Sequence, residues 1–131
     1  MGELKRGGLL LRVDGALIFI PASIALRISA HPEVVHVPGA PSELLGMAVS
    51  EGEILPVVAI GGDRAQMVVC MHASELVGFV GGAVIGSGIF PTADGASSDA
   101  VSFGGETALT LDIARIFGRL RGGAWAGRWG G

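Results

Sequence analysis

The chain has 131 residues, of which 50% are apolar and 16% charged, with 23 glycines and a net charge of -3. That length allows one domain or two very small units sharing a core and excludes a second large domain, while the glycine-rich apolar composition excludes wholesale disorder and suits a tightly turned β protein. The charge provides no basic face for a phosphate backbone, and a single cysteine, Cys70, excludes an internal disulfide and fits a reducing cytoplasm.

The N-terminal MGELKRGG leads into LLLRVDG, where Arg12 and Asp14 interrupt the apolar stretch that a signal peptide needs. Residues 9–13 and 16–20 flank Asp14-Gly15, whose tolerance of positive φ at both positions predicts a two-residue β-hairpin. Pro21 stops the second strand, residues 22–26 are expected as a short helical turn with Ser23 near its start, and residues 28–30 as extended chain. Prolines 32, 38 and 41 predict a bent connection with at most a short strand over 34–37.

Pro41 then opens SELLG, where proline at a first helical position, Glu43 near the positive end and Gly46 after the last turn predict a small helix. Residues 47–50 and 54–60 read as strands joined at Glu51-Gly52, with Pro56 expected at a sheet edge or bulge because it cannot donate to a ladder. Residues 66–72, 75–80 and 83–90 read as three further strands. Residues 76–93 are uncharged and carry Gly78, Gly82 and Gly86 at the four-residue spacing of packed membrane helices, but the glycine content and the valines and isoleucines favour strands. Residues 92–99 form a polar loop, and residues 101–103 and 107–117 complete the sheet, the latter ending in a helical turn. There is no internal repeat.

His31, His36 and His72 with Cys70 lack the paired spacing of a zinc site, so no metal is expected. The chain holds no G-x-S-x-G elbow and no phosphate-binding loop, and the glycines around residues 78–88 do not spell the dinucleotide fingerprint. An enzyme is not expected, nor a cofactor or a small-molecule substrate. The tail GRLRGGAWAGRWGG differs in kind: Arg115, Arg119, Arg121 and Arg128 follow the last acidic residue, Asp112, and Trp125 and Trp129 are the only tryptophans. Such a segment can stack on single-stranded nucleic acid, anchor in an apolar groove or fold back over the body.

From residue 9 to 117 the chain resembles the CheW-like coupling domains of bacterial chemosensory systems. The family segment v-P-g-a-P-x-x-l-x-G-v-x-n-L-R-G-x-x-l-P-V is matched in register by Pro38, Gly39, Ala40, Pro41, Gly46, Gly52, Pro56 and Val57. GFVGGAV is similar to the family's G-l-x-V-D-x-V, and LTLDIARIF to its closing i-L-D-x-x-x-l-l strand. The resemblance implies an all-β fold of two small five-stranded SH3-like barrels packed together, spanning residues 1–118, with a middle subdomain over about 31–83 and a Gly/Arg/Trp tail at 119–131.

It further implies a cytoplasmic, non-enzymatic adaptor that bridges the signalling tip of a chemoreceptor to the regulatory domain of a histidine kinase, without inserting in the membrane. The family's arginine before the turn glycine is Glu51 here, and the glutamate preceding its bent linker falls at Arg27, so a charge pair of reversed polarity is expected. The family's aspartate is Gly82, its asparagine Val49, the connection after Phe90 is short and no C-terminal helix is expected. These departures point to a first barrel trimmed at one edge and an adaptor specialised to its receptor, alongside the alternative of a free binding protein whose tail touches nucleic acid. Candidate partner-binding residues are Ile18, Ile20, Ala25, Arg27, Ile28, Leu44, Met47, Val49, Glu51, Val80 and Val84.

Overall fold

A computed structural model describes residues 5–40, 42–93 and 100–121 of the chain. Two five-stranded sheets account for most of them. The first contains β1 (Lys5–Val13), β2 (Ala16–Pro21), β8 (Ala83–Pro91), β9 (Ala100–Phe103) and β10 (Glu106–Thr110) in the order β8-β1-β2-β10-β9. The second contains β3 (Ala25–Ala30), β4 (Leu44–Ser50), β5 (Glu53–Ala59), β6 (Asp63–His72) and β7 (Glu75–Gly81) in the order β3-β6-β7-β5-β4. The all-β fold class expected from the sequence is the one observed.

Both sheets follow one plan. In each, a hairpin (β1-β2 or β6-β7) lays its second strand parallel to a strand of another hairpin (β10 of β9-β10, or β5 of β4-β5), and a single strand (β8 or β3) covers the outer side. The chain leaves the first unit after β2, builds the second completely, and returns at β8. Each sheet also curls round until its outer strands meet through one extra bridge. Thr92, just after β8, pairs with Val101 on β9, and Val35, in the proline-rich connection after β3, pairs with Met47 on β4.

The turns explain why these strands pair as they do. Every hairpin has a two-residue loop with both residues at positive φ: Asp14 and Gly15 (47° and 90°), Glu51 and Gly52 (49° and 80°), Ala73 and Ser74 (51° and 67°), Gly104 and Gly105 (56° and 84°). That backbone twist matches the right-handed twist of the strands it joins. At the passage between the units, Gly81 has φ 121°, and a Cβ there would overlap the backbone of Gly61, so only glycine allows the two loops to touch.

Strands buried on both faces account for the unbroken apolar runs. On β1, Leu10 fills the first barrel while its neighbour Leu11 faces the seam between barrels. On β6, Met67 and Val69 fill the second barrel while Val68 and Cys70 face the seam. The seam is capped by α1 (Ile113–Arg121), which buries Ile113, Phe117 and Leu120 against residues of both sheets. Asp112 caps this helix, its Oδ1 accepting from the Arg115 amide at 3.1 Å. Two polar ties cross between the units: Asp14 Oδ1 accepts from the Gly62 amide at 3.1 Å, and Gln66 Oε1 from the Val84 amide at 2.9 Å.

Several expectations are corrected. Residues 22–24 form a turn and β3 starts at Ala25, so no helical turn occupies 22–26. Residues 42–43 form a turn and Leu44 opens β4, in place of the small helix; the seam needs the buried Leu44 in extended chain. Pro56 sits on β5, an interior strand. It is tolerated there because the facing Met47 spends both backbone groups on Val35, and the ladder to β7 starts only at Val57. The first barrel keeps all five strands, so it is not trimmed. A C-terminal helix is present where none was expected, and it runs to Arg121. Strands β7 and β8 occupy the segment with membrane-helix glycine spacing, and no described helix is long and apolar enough to cross a membrane.

Candidate interaction groove

β8 and β3 are the outer strands of their sheets, and between them lies an apolar trough of about 510 Å³. Its floor is the β1-β8 ladder, where Gly7 faces Ile89 and Gly8 faces Gly88, so there are few side chains to fill it. Its walls carry Leu26 and Ile28 from β3 and Ile89 from β8, exposed by 48%, 44% and 71%. Large aliphatic side chains left in water around a backbone floor make a surface suited to the apolar face of an amphipathic helix.

One wall is braced by an arginine cluster. The Arg27 guanidinium donates from Nε to Ser50 Oγ at 3.0 Å and from a terminal nitrogen to the Ser50 carbonyl at 3.1 Å. It pairs with Glu51 at 3.2 Å and lies 3.8 Å from Glu53. The charge pair of reversed polarity is therefore formed, tying β3 to the β4-β5 turn. Its two ends differ: the Arg27 side chain is 21% exposed and that of Glu51 73%.

The candidate residues divide into three groups. Ala25, Arg27 and Ile28 line the trough. Ile20 and Leu44 are buried in the seam, with Ile18 and Val84 packed against it, and Val80 is buried in the second barrel; these five are framework. Met47 and Val49 lie on a different face, a depression of about 370 Å³ on the second barrel shared with Glu33, Val35 and Ile54, and the exposed Glu51 follows on the adjoining turn. Gly7, Gly8, Leu26 and Ile89 were missed. The signal for them was the pairing of Gly7-Gly8 with I-G-S-G-I at 85–89, two glycine-bearing strands that leave a bare ladder between bulky neighbours.

Among the described residues no three His, Cys, Asp or Glu side chains gather where they could hold a metal. Burial pushes the Cys70 thiol up to about 12, so it stays protonated and unreactive in the seam. At the far end of the first barrel, Arg12 meets Glu106 through two hydrogen bonds of 2.8 and 3.0 Å, which hold the Glu106 carboxyl below its ordinary range. Trp125, Arg128 and Trp129 lie outside the described residues.

No protein-family model matches the chain, and no curated protein sequence does. Among solved structures it is similar to the crystal structure of the scaffolding protein TtCheW from Thermoanaerobacter tengcongensis. The two share 11% sequence identity and a TM-score of 0.70, over 87% of this chain and 93% of that one. Paired barrels, a shared seam and this structural likeness together show that the chain has the CheW-like fold its sequence resembles.

Proposed function

We propose that this chain is a non-enzymatic adaptor of a bacterial chemosensory complex, acting in the cytoplasm and recruited to receptor clusters through its inter-barrel trough. The observation that carries the reading is the trough itself, a glycine-floored apolar channel with Leu26, Ile28 and Ile89 on its walls in a CheW-like fold. A helical chemoreceptor signalling tip is the occupant it suits, because one apolar helix face can lie along the channel while its polar face stays in water. Ala25, Arg27 and Ile28 are contact residues in this reading, and the buried candidates act only by holding the walls in place.

The test is co-purification of the chain with a receptor signalling tip and, separately, with the regulatory domain of the cognate kinase. Retention of the tip, lost on Ile28→Asp or Ile89→Asp with the fold intact by circular dichroism, is expected. Failure of the unmodified chain to retain the tip overturns the reading. Kinase retention distinguishes a conventional bridge from an adaptor specialised to its receptor. The departures at Arg27, Glu51 and Val49 favour the specialised form, since all three lie on β3 or the β4-β5 hairpin and alter one region of the surface.

A further inference from the structure

Gly7, Gly8 and Gly88 floor the trough, and the fold accounts for two of them. A Cβ on Gly8 would overlap the Ile20 carbonyl and press on the Phe19 ring, and Gly88 has φ 148°, a backbone conformation that favours glycine. Gly7 has neither reason. Its φ is not positive, and among the described residues a Cβ there would meet only Gly88 O at 3.7 Å and Ala22 Cβ at 3.9 Å, ordinary van der Waals contacts. A glycine within a strand gives up packing and backbone order, so one that the fold does not need marks a place where another molecule comes close.

Gly7 and Leu9 share the face of β1 that looks into the trough, and their partners across the ladder are Ile89 and Ser87. Leu9 packs against the seam, whereas Gly7 leaves a gap beside Ile89, which stays 71% exposed. Among the described residues that line the trough Arg27 alone is charged, and Ser50 and Glu51 already hold its guanidinium. The gap therefore suits an uncharged, apolar group.

Leu26, Ile28 and Ile89 stand around this gap, so a helix about 10 Å across rests on the walls and only a side chain reaches the floor. We propose, resting on the adaptor reading above, that Gly7 is the specificity-determining position of the trough. It is the hole for one aliphatic side chain of the receptor's signalling helix, which seats against Ile89 and Ala22. Filling the hole removes the void that a docked helix would otherwise leave beneath it. A helix with alanine at that place binds this chain weakly, and a larger side chain at position 7 reverses the preference.

The test is a bump-and-hole exchange, read by titrating the purified chain with a receptor signalling tip. Gly7→Ala should weaken binding in part and Gly7→Leu by about tenfold or more, with circular dichroism unchanged and a urea midpoint no lower than that of the unmodified chain. Alanine substitutions along the apolar face of the tip should include one that weakens binding to the unmodified chain yet strengthens binding to Gly7→Leu; that reversal of sign identifies the inserted side chain. Equal binding by the unmodified chain and Gly7→Leu overturns the inference, as does a loss that no alanine variant of the tip recovers. A lowered urea midpoint for Gly7→Leu also overturns it, by showing that the fold itself requires the glycine. In each of these cases the adaptor reading stands if the unmodified chain retains the tip and Ile28→Asp does not. A tip that the unmodified chain fails to bind overturns that reading, and this inference with it.

Discussion

Arg27 illustrates how a polar side chain can look like one half of an ion pair while its stability contribution comes from elsewhere. Glu51, at 73% exposure, pairs with it in high dielectric, where such a contact contributes at most about 1 kcal/mol. Ser50 is 6% exposed, and its hydroxyl and carbonyl both accept from Arg27. Removing the guanidinium leaves Ser50 with a long 3.4 Å contact to Ser29 Oγ as its remaining side-chain partner. Arg27→Ala should therefore cost about 1–2 kcal/mol in urea unfolding and Glu51→Ala about 0.5 or less. The exchange Arg27→Glu with Glu51→Arg should not recover the loss, because the Ser50 carbonyl has no proton to offer a carboxylate; full recovery would show the Coulombic pair to dominate. Gly82, where the CheW-like pattern that the sequence resembles carries an aspartate, is constrained in the same local way. A Cβ there would lie 2.7 Å from Val13 Cγ2, so the seam closes over the space an aspartate would need.

At the scale of elements, α1 is the piece that sequence reading missed, and the reason is physical. Leu109, Leu111 and Ile113 alternate like a strand, and they carry the β10 pattern past its true end at Thr110. Only Ile113, Phe117 and Leu120 together reveal the helical period, with Asp112 as the start signal. Asp112→Ala should cost about 1 kcal/mol, read as a lower urea midpoint, whereas Asp112→Asn should cost little, because asparagine also caps. The hairpins were legible where turn chemistry was explicit, at Asp14-Gly15 and Glu51-Gly52, and where apolar runs left no alternative, on either side of Ala73-Ser74. The reverse error, a helix over 41–46, came from sound local signals overridden by tertiary demand: Leu44 must be extended to reach the seam, and a bulge beside Gly46 follows. The trough was half legible. Its β3 wall lay in the candidate set apart from Leu26, but Ile89 reads as an ordinary strand residue, and only the fold shows that glycines opposite leave it unpacked.

The whole molecule is two barrels of one plan, and the largest shared structure is the seam between them, which decides how they unfold. Leu11, Val13 and Ile20 of the first unit join Leu44, Val58, Val68 and Phe79 of the second in one buried cluster, closed by Phe117 of α1. The internal clusters of the separate barrels are smaller, with six buried residues each. A unit of some sixty residues is marginal by itself because it buries too small a fraction of its surface. Neither barrel should therefore persist once the seam opens, and the chain should unfold in one transition although it contains two sheets. Cys70 provides the second probe: it is fully buried in the seam with its thiol pushed up to about 12, so it reacts with an alkylating reagent only when the seam opens. Its exposure in urea should coincide with loss of the far-ultraviolet β signal. Phe117→Ala should move both curves together, by about 3–5 kcal/mol if the site behaves as other buried aromatic positions do. Thiol exposure well before the loss of β signal would mean that the barrels separate first and survive apart, and a trough built from the outer strands of both would then be a hinge rather than a fixed channel.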